Sequence, residues 1–276
     1  MQKKQMMYNE NYFDCLEEFI DTSLSSHTCL HIDFCRNQVG DEGVISFSSA
    51  LSNCTNLIEL ELDLRWNNLK VQGASELGLA LANCKLLSKL TLHFWGNEIG
   101  ENGASKLFFA FPNFSCLSTL KLNLEENKIG AYGAQIIGSH LQQCPSLQTL
   151  ELNLMENKIG SVGTSSLSYY LANFINLKNL ALNLQSNNIG EQGLSDFCQH
   201  IKNCKNLLTL KLNFAWNKVG IACILELCSC LVKFSYLQIL SLNLCGNQID
   251  KSHQQRLKIK IKKLKRLVYF FVSNYS

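Results

Sequence analysis

From residue 31 to residue 250, apolar and polar positions recur every 30 residues with no insertion. Units begin at 31, 61, 91, 121, 151, 181, 211 and 241, and a residue's phase is its position within its unit. The second phase carries Ile32, Leu62, Leu92, Leu122, Leu152, Leu182, Leu212 and Leu242. The fourth carries Phe34, Leu64, Phe94, Leu124, Leu154, Leu184, Phe214 and Leu244. Apolar residues two apart with polar residues between them share one face of a strand. Later in each unit the spacing becomes helical, as in Ile137, Leu141, Cys144 and Leu147. Each unit therefore predicts a strand, a turn, a helix and a return.

The seventh phase is asparagine in every unit: Asn37, Asn67, Asn97, Asn127, Asn157, Asn187, Asn217 and Asn247. A primary amide both donates and accepts, so an asparagine after each strand suits pairing with turn backbone, a structural role. The ninth phase is aliphatic throughout, from Val39 to Ile249. Glycine follows at the tenth, with Lys70 and Asp250 as exceptions, and again at the thirteenth from Gly43 to Gly193. Unit seven has Cys223 at that thirteenth phase and unit eight has His253. Glycine at both places fits a loop bending sharply into a helix.

The run LNLEENKIGAYGAQII, residues 122–137, resembles the leucine-rich repeat family, in particular its ribonuclease-inhibitor-like subclass. The resemblance extends over about 31–270. It implies an α/β solenoid shaped as a horseshoe, with a parallel sheet on the concave face and helices on the convex face. The subclass usually repeats at about 28 residues, so the longer unit here suggests a longer strand. The resemblance implies a non-catalytic scaffold that binds a partner protein through the concave face and the rim where strands end. Similar repeats also form Ran-type GTPase-activating proteins, and related arrays occur fused to kinases, so a GTPase regulator or a kinase recognition module are the alternatives. No HRD or DFG motif is present in this chain.

Three regions follow. Residues 1–30 precede the repeat, and Phe13, Leu16, Phe19 and Ile20 stand at helical spacing, which predicts an N-terminal capping helix. Residues 31–250 form the array. Residues 251–276 begin with a basic stretch holding eight Lys/Arg and no acid between 251 and 270, leaving 17 bases against 22 acids in residues 1–250. Its apolar Leu257, Ile261, Leu264, Leu267 and Phe270 keep the phase of Ile137, Leu141, Cys144, Leu147 and Leu150, which predicts a capping repeat or helix with a charged outer face. Attraction to nucleic acid or an anionic membrane through this stretch is the competing reading.

Composition narrows the chemistry. Of thirteen cysteines, Cys54, Cys84, Cys144 and Cys204 share a phase filled elsewhere by Phe114, Phe174, Phe234 and Leu264. A slot that takes Cys, Phe or Leu is an apolar core slot, which points to reduced thiols in an intracellular, cytoplasmic setting. Cys223, Cys228 and Cys230 cluster without a distant matching pair, and His27 and His31 are the sole histidines four apart, so no metal or other cofactor is expected. No GxxxxGK[ST], GxSxG or HExxH occurs, and no catalytic set is expected. No apolar run reaches the roughly 18 residues of a membrane span, and the basic N-terminus lacks the apolar core of a secretory signal.

The first, third and fifth phases lie between the inward leucines and should face the concave side. The third reads Asp33, Asp63, His93, then Asn123, Asn153, Asn183, Asn213 and Asn243. Equal amides stacked at strand spacing predict hydrogen bonds from one to the next, and a binding surface is the other option. At the rim stand Arg36, Arg65, Trp66, Trp95, Glu125, Glu126, Met155, Glu156 and Trp216. Tryptophan favours interaction hot spots, so Trp66, Trp95 and Arg65, in adjacent units, are the leading partner-binding candidates.

Overall fold

The computed structural model describes residues 11–248, position 259 and residues 269–273. The strands are β1 (Tyr12–Phe13), β2 (Cys29–Asp33), β3 (Glu59–Asp63), β4 (Lys89–His93), β5 (Thr119–Asn123), β6 (Thr149–Asn153), β7 (Asn179–Asn183), β8 (Thr209–Asn213), β9 (Ile239–Asn243) and β10 (Tyr269–Ser273). The helices are α1 (Leu16–Ile20), α2 (Gly40–Leu51), α3 (Val71–Leu81), α4 (Gly100–Phe108), α5 (Gly130–Leu141), α6 (Gly160–Leu171), α7 (Gly190–Ile201) and α8 (Ile221–Leu231). Among the described residues the strands form one parallel sheet in chain order. From β2 onward each residue pairs with the one 30 positions away, as Leu60 does with Leu90 and Leu122 with Leu152.

That constant register stacks like on like. The second- and fourth-phase side chains form two apolar columns, every described member of them buried, between the sheet and the helices. Each such side chain contributes roughly 1.5–3 kcal/mol on burial, so the repeat itself is the main source of cohesion. Cys54, Cys84, Cys144 and Cys204 are buried in the same layer as Phe114, Phe174 and Phe234, as their shared phase predicts. Burial pushes the Cys54 thiol up to about 11 and those of Cys84, Cys144 and Cys204 up to about 12. At neutral pH these thiols are un-ionised and behave as core atoms.

Inside each turn, the seventh-phase amide joins two units. The Asn157 side-chain oxygen accepts the backbone N–H of Asn127 at 3.0 Å and of Ile129 at 3.1 Å. Its amide nitrogen donates to the carbonyls of Leu124 at 2.8 Å and Met155 at 2.9 Å. Asn187 and Asn217 repeat all four bonds. Asn67 to Asn217 are buried in every unit, while Asn37 at the exposed end instead reaches Asp14.

The tenth-phase glycine starts the helix in a left-handed conformation, φ +65° at Gly100, with its N–H on the Asn127 carbonyl at 2.9 Å. Lys70 and Gly220 are extended at this phase, and α3 and α8 begin one residue later. Thirteenth-phase glycines let neighbouring helices touch. A Cβ on Gly163 would stand 2.8 Å from the Ala131 Cα, a distance that real contacts do not reach.

The N-terminal segment differs from expectation. Phe13, Leu16, Phe19 and Ile20 do not share one helix. Phe13 lies in β1, paired with Ile32, and α1 spans only Leu16–Ile20 with Ile20 exposed. Extending the sheet satisfies the backbone of β2 and lets Phe13 meet Phe19 edge-on at 5.5 Å, while Phe19 reaches Phe47 at 5.3 Å. The described part of this segment is thus a strand plus a short helix. At the other end β10 pairs with β9, again at an offset of 30, and places Phe270 opposite Leu240. Position 270 is therefore in a strand, the phase of Leu150. Leu257, Ile261, Leu264, Leu267 and the tenth- and thirteenth-phase Asp250 and His253 lie outside the described residues, as does nearly all of the basic stretch.

Candidate partner-binding surface

The strands expose their first- and third-phase side chains along a concave trough of about 760 Å³. It runs from Glu61 past Lys121, Asn153 and Ala181 to Asn243. Glu61 lies between His31 at 3.2 Å and His93 at 3.7 Å, and Lys121 meets Glu151 at 3.6 Å.

Asparagines of the third phase do not bond to one another, contrary to the stacking expectation. Each instead turns its side-chain oxygen onto the backbone N–H two residues on: Asn123 to Glu125, Asn153 to Met155, Asn183 to Gln185, Asn213 to Ala215 and Asn243 to Cys245, all at 3.0–3.1 Å. Asp33 and Asp63 do the same for Cys35 and Arg65. This is the local bond that makes Asn and Asp turn residues, and it outcompetes a lateral ladder because it closes the strand's own exit. With the oxygen committed, the amide nitrogen is aimed away from the turn. Asn153 donates to Glu125 at 2.9 Å and Asn213 to Gln185 at 3.0 Å, each a fifth-phase side chain of the preceding unit.

At the rim, sixth-phase residues take left-handed backbone angles: Arg36, Trp66, Glu126, Glu156, Ser186 and Trp216 have φ between +53° and +59°. Such angles cost about 1–2 kcal/mol outside glycine. The structure offsets this with backbone bonds that extend the sheet into the turn, from the Trp66 N–H to the Trp95 carbonyl and from the Glu126 N–H to the Met155 carbonyl. Trp66 then lies over the next unit. Gly96 has φ +70°, and a Cβ there would be 2.5 Å from the Trp66 ring. Trp216 covers Gly246 in the same way. Tryptophan at this phase is followed 30 residues later by glycine in both cases, a pairing the sequence contains but periodicity alone does not flag.

The candidate rim residues fall into three groups. Trp66 and Trp95 form a tilted pair with centroids 5.1 Å apart, Trp66 39% exposed and Trp95 half-buried. Arg65 beside them is held by Asp63 through its Nε at 2.8–2.9 Å, whereas Arg36 is exposed. Glu125, Glu126, Met155 and Glu156 form a central acidic group. Burial raises the Glu125 pKa, the Asn153 bond lowers it, and the neighbouring Glu126 and Glu156 charges raise it further. Trp216, 60% exposed, stands apart, five units from Trp66.

A second set of bonds, not anticipated from the sequence, ties the loops ahead of the strands. Asn56, Asn176 and Asn206 donate to the carbonyls of Ser25, Pro145 and Ile175 at 2.7–2.9 Å, and Ser146 to Ser115 at 2.7 Å. Only some units carry Asn or Ser there, so the period hides them. Among the described residues, no cluster of His, Cys, Asp and Glu is arranged to hold a metal, and no helix is long and apolar enough to cross a membrane.

The match to a family model agrees with this architecture. Residues 26–48, 53–78, 143–168 and 180–198 match the family model described as Leucine Rich repeat. No curated protein matches the chain. Among solved structures, one described as "Leiomodin-1 Actin-Binding Site 2 (ABS2)" is similar at 18% identity and a TM-score of 0.41, over 60% of this chain and 90% of that one. Parallel strands in sequential order, each returned by a convex helix, together with these repeats, make the fold a leucine-rich repeat solenoid.

Proposed function

We propose that this protein is a non-catalytic recognition scaffold, of the ribonuclease-inhibitor-like kind, that holds a partner protein against its concave face and the adjoining rim. The observation that carries this reading is the trough. It is wide, open, and lined by side chains fixed on a sheet whose turns are closed by buried amides. A surface already ordered before binding loses little conformational freedom on association. The Trp66–Trp95 pair and Trp216 add exposed aromatic area at the trough's edge, of the kind that dominates protein interfaces. The GTPase-activating alternative predicts faster GTP hydrolysis by a small GTPase, which a turnover assay measures; no arrangement among the described residues favours it.

The test is a paired substitution. Ala181→Arg places a long side chain on the trough floor, and Val162→Glu changes the convex side, where Val162 is exposed. With both variants folded by thermal melting, partner capture from native extract should fall by at least tenfold for Ala181→Arg and stay unchanged for Val162→Glu. Equal capture by all three proteins contradicts concave recognition.

A further inference from the structure

The third-phase amides are not equivalent, and the difference has a spacing. Asn153 and Asn213 find acceptors because Glu125 and Gln185 precede them by 28 residues. At the equivalent positions ahead of Asn123, Asn183 and Asn243 stand Trp95, Met155 and Ala215, which offer no side-chain acceptor. Among the described residues, the amide nitrogens of these three asparagines have no hydrogen-bond partner, although their oxygens are engaged. All three line the trough and are half-buried. The result is a row of outward donors on every second strand, each beside an apolar or aromatic residue.

Neighbouring strands are about 4.7–4.9 Å apart, so the donors repeat at roughly 9.4–9.8 Å along the trough. A polyproline II segment advances ~3.1 Å per residue with three residues per turn, hence about 9.3 Å per turn, and its carbonyls have no internal partner. An extended β-segment repeats its same-face groups at about 6.6–6.8 Å and falls out of step. An α-helix uses its own carbonyls except in its last turn, so it has no regular row of them to give. We infer that the trough receives a left-handed, proline-rich extended segment of a partner protein, lying across the strands. Every third carbonyl of that segment accepts from Asn123, Asn183 or Asn243, with ring or aliphatic side chains against the half-buried Trp95 and Met155. This rests on concave recognition and adds the conformation of what is recognised.

The test uses the full chain and a fluorescein-labelled oligoproline peptide of about nine residues, long enough at ~3.1 Å each to span the donors, read by anisotropy. Gly–Ser and alanine-rich helical peptides of equal length are the controls. Met155→Gln gives the Asn183 donor an internal acceptor of the type Gln185 already provides for Asn213. Gln185→Met releases a donor one strand out of step. Oligoproline should bind at least tenfold more tightly than either control. Met155→Gln should weaken it about tenfold, and Gln185→Met should change it less than about twofold. Oligoproline binding no tighter than the controls, or binding unaffected by Met155→Gln, overturns the inference. If oligoproline fails while Ala181→Arg still abolishes partner capture, the segment's conformation is wrong and concave recognition stands. If Ala181→Arg leaves capture intact, concave recognition itself fails.

Discussion

Two rows of asparagine run along this solenoid, one at the seventh phase of all eight units and one at the third phase from Asn123 to Asn243, and they do opposite things. Four residues apart, they have the same side chain and the same period. From Asn67 to Asn217 the seventh-phase amides are buried and use their hydrogen-bonding groups on backbone, as Asn157 does with four partners. Third-phase amides use the oxygen on their own turn and present the nitrogen to the trough. What decides the difference is the surroundings. Inside the turn, a side chain must satisfy backbone groups that water cannot reach, whereas on the sheet face the nitrogen is left to solvent unless a neighbour offers an acceptor.

Removing a seventh-phase amide should have the largest effect. Asn157→Ala strands the buried N–H groups of Asn127 and Ile129, at about 1–3 kcal/mol each. Chemical denaturation should show a loss of several kcal/mol, and a loss below about 1 kcal/mol would erase the distinction between the rows. Next comes the packing that keeps the units in register. Gly163→Ala drives a methyl into Ala131 and Ile159, with an expected cost of about 1–3 kcal/mol. A neutral result would mean that the helices part easily and that the trough is less rigid than its sheet suggests.

The ends sharpen the contrast between interior and edge. His27 is 8% exposed, bonded to Thr22 and packed on Phe13 and Phe19, and burial lowers its pKa. A histidine that is neutral in the fold but protonates readily when unfolded contributes full stability above the unfolded value of about 6.5. That stability drains away as the pH falls from there toward the depressed folded value. Thermal melting from pH 7.5 down to pH 5 should therefore show a loss that His27→Gln reduces; identical slopes would remove His27 from the pH response of the N-terminal segment. The smallest effect belongs to the trough. Asn183→Leu should shift stability by no more than about 1 kcal/mol, since only the local turn bond is lost.

The period made most of the fold legible, because each phase is sampled in eight units and an exception such as Lys70 at the tenth cannot blur it. It also revealed the seventh-phase row, where invariance and burial coincide. It could not reveal which third-phase nitrogens are free. That depends on a residue 28 positions earlier in sequence and adjacent only across the sheet, as Glu125 is to Asn153. The laying of Trp66 over Gly96 was hidden for a related reason: it arises from a left-handed turn at Trp66, which no pattern of polarity encodes. At the N-terminus, helical spacing misled because Phe13 completes the sheet edge while Phe19, six residues on, completes the core.

The measurement closest to the central claim is side-chain amide hydrogen exchange by NMR. The seventh-phase amides of Asn67 to Asn217 should be the most protected, Asn153 and Asn213 intermediate, and Asn123, Asn183 and Asn243 as fast as free amides. A proline-rich ligand should slow those last three and leave the others unchanged. Protection of Asn123, Asn183 and Asn243 equal to that of Asn153 and Asn213 in the free protein would contradict the open donor row and the recognition built on it.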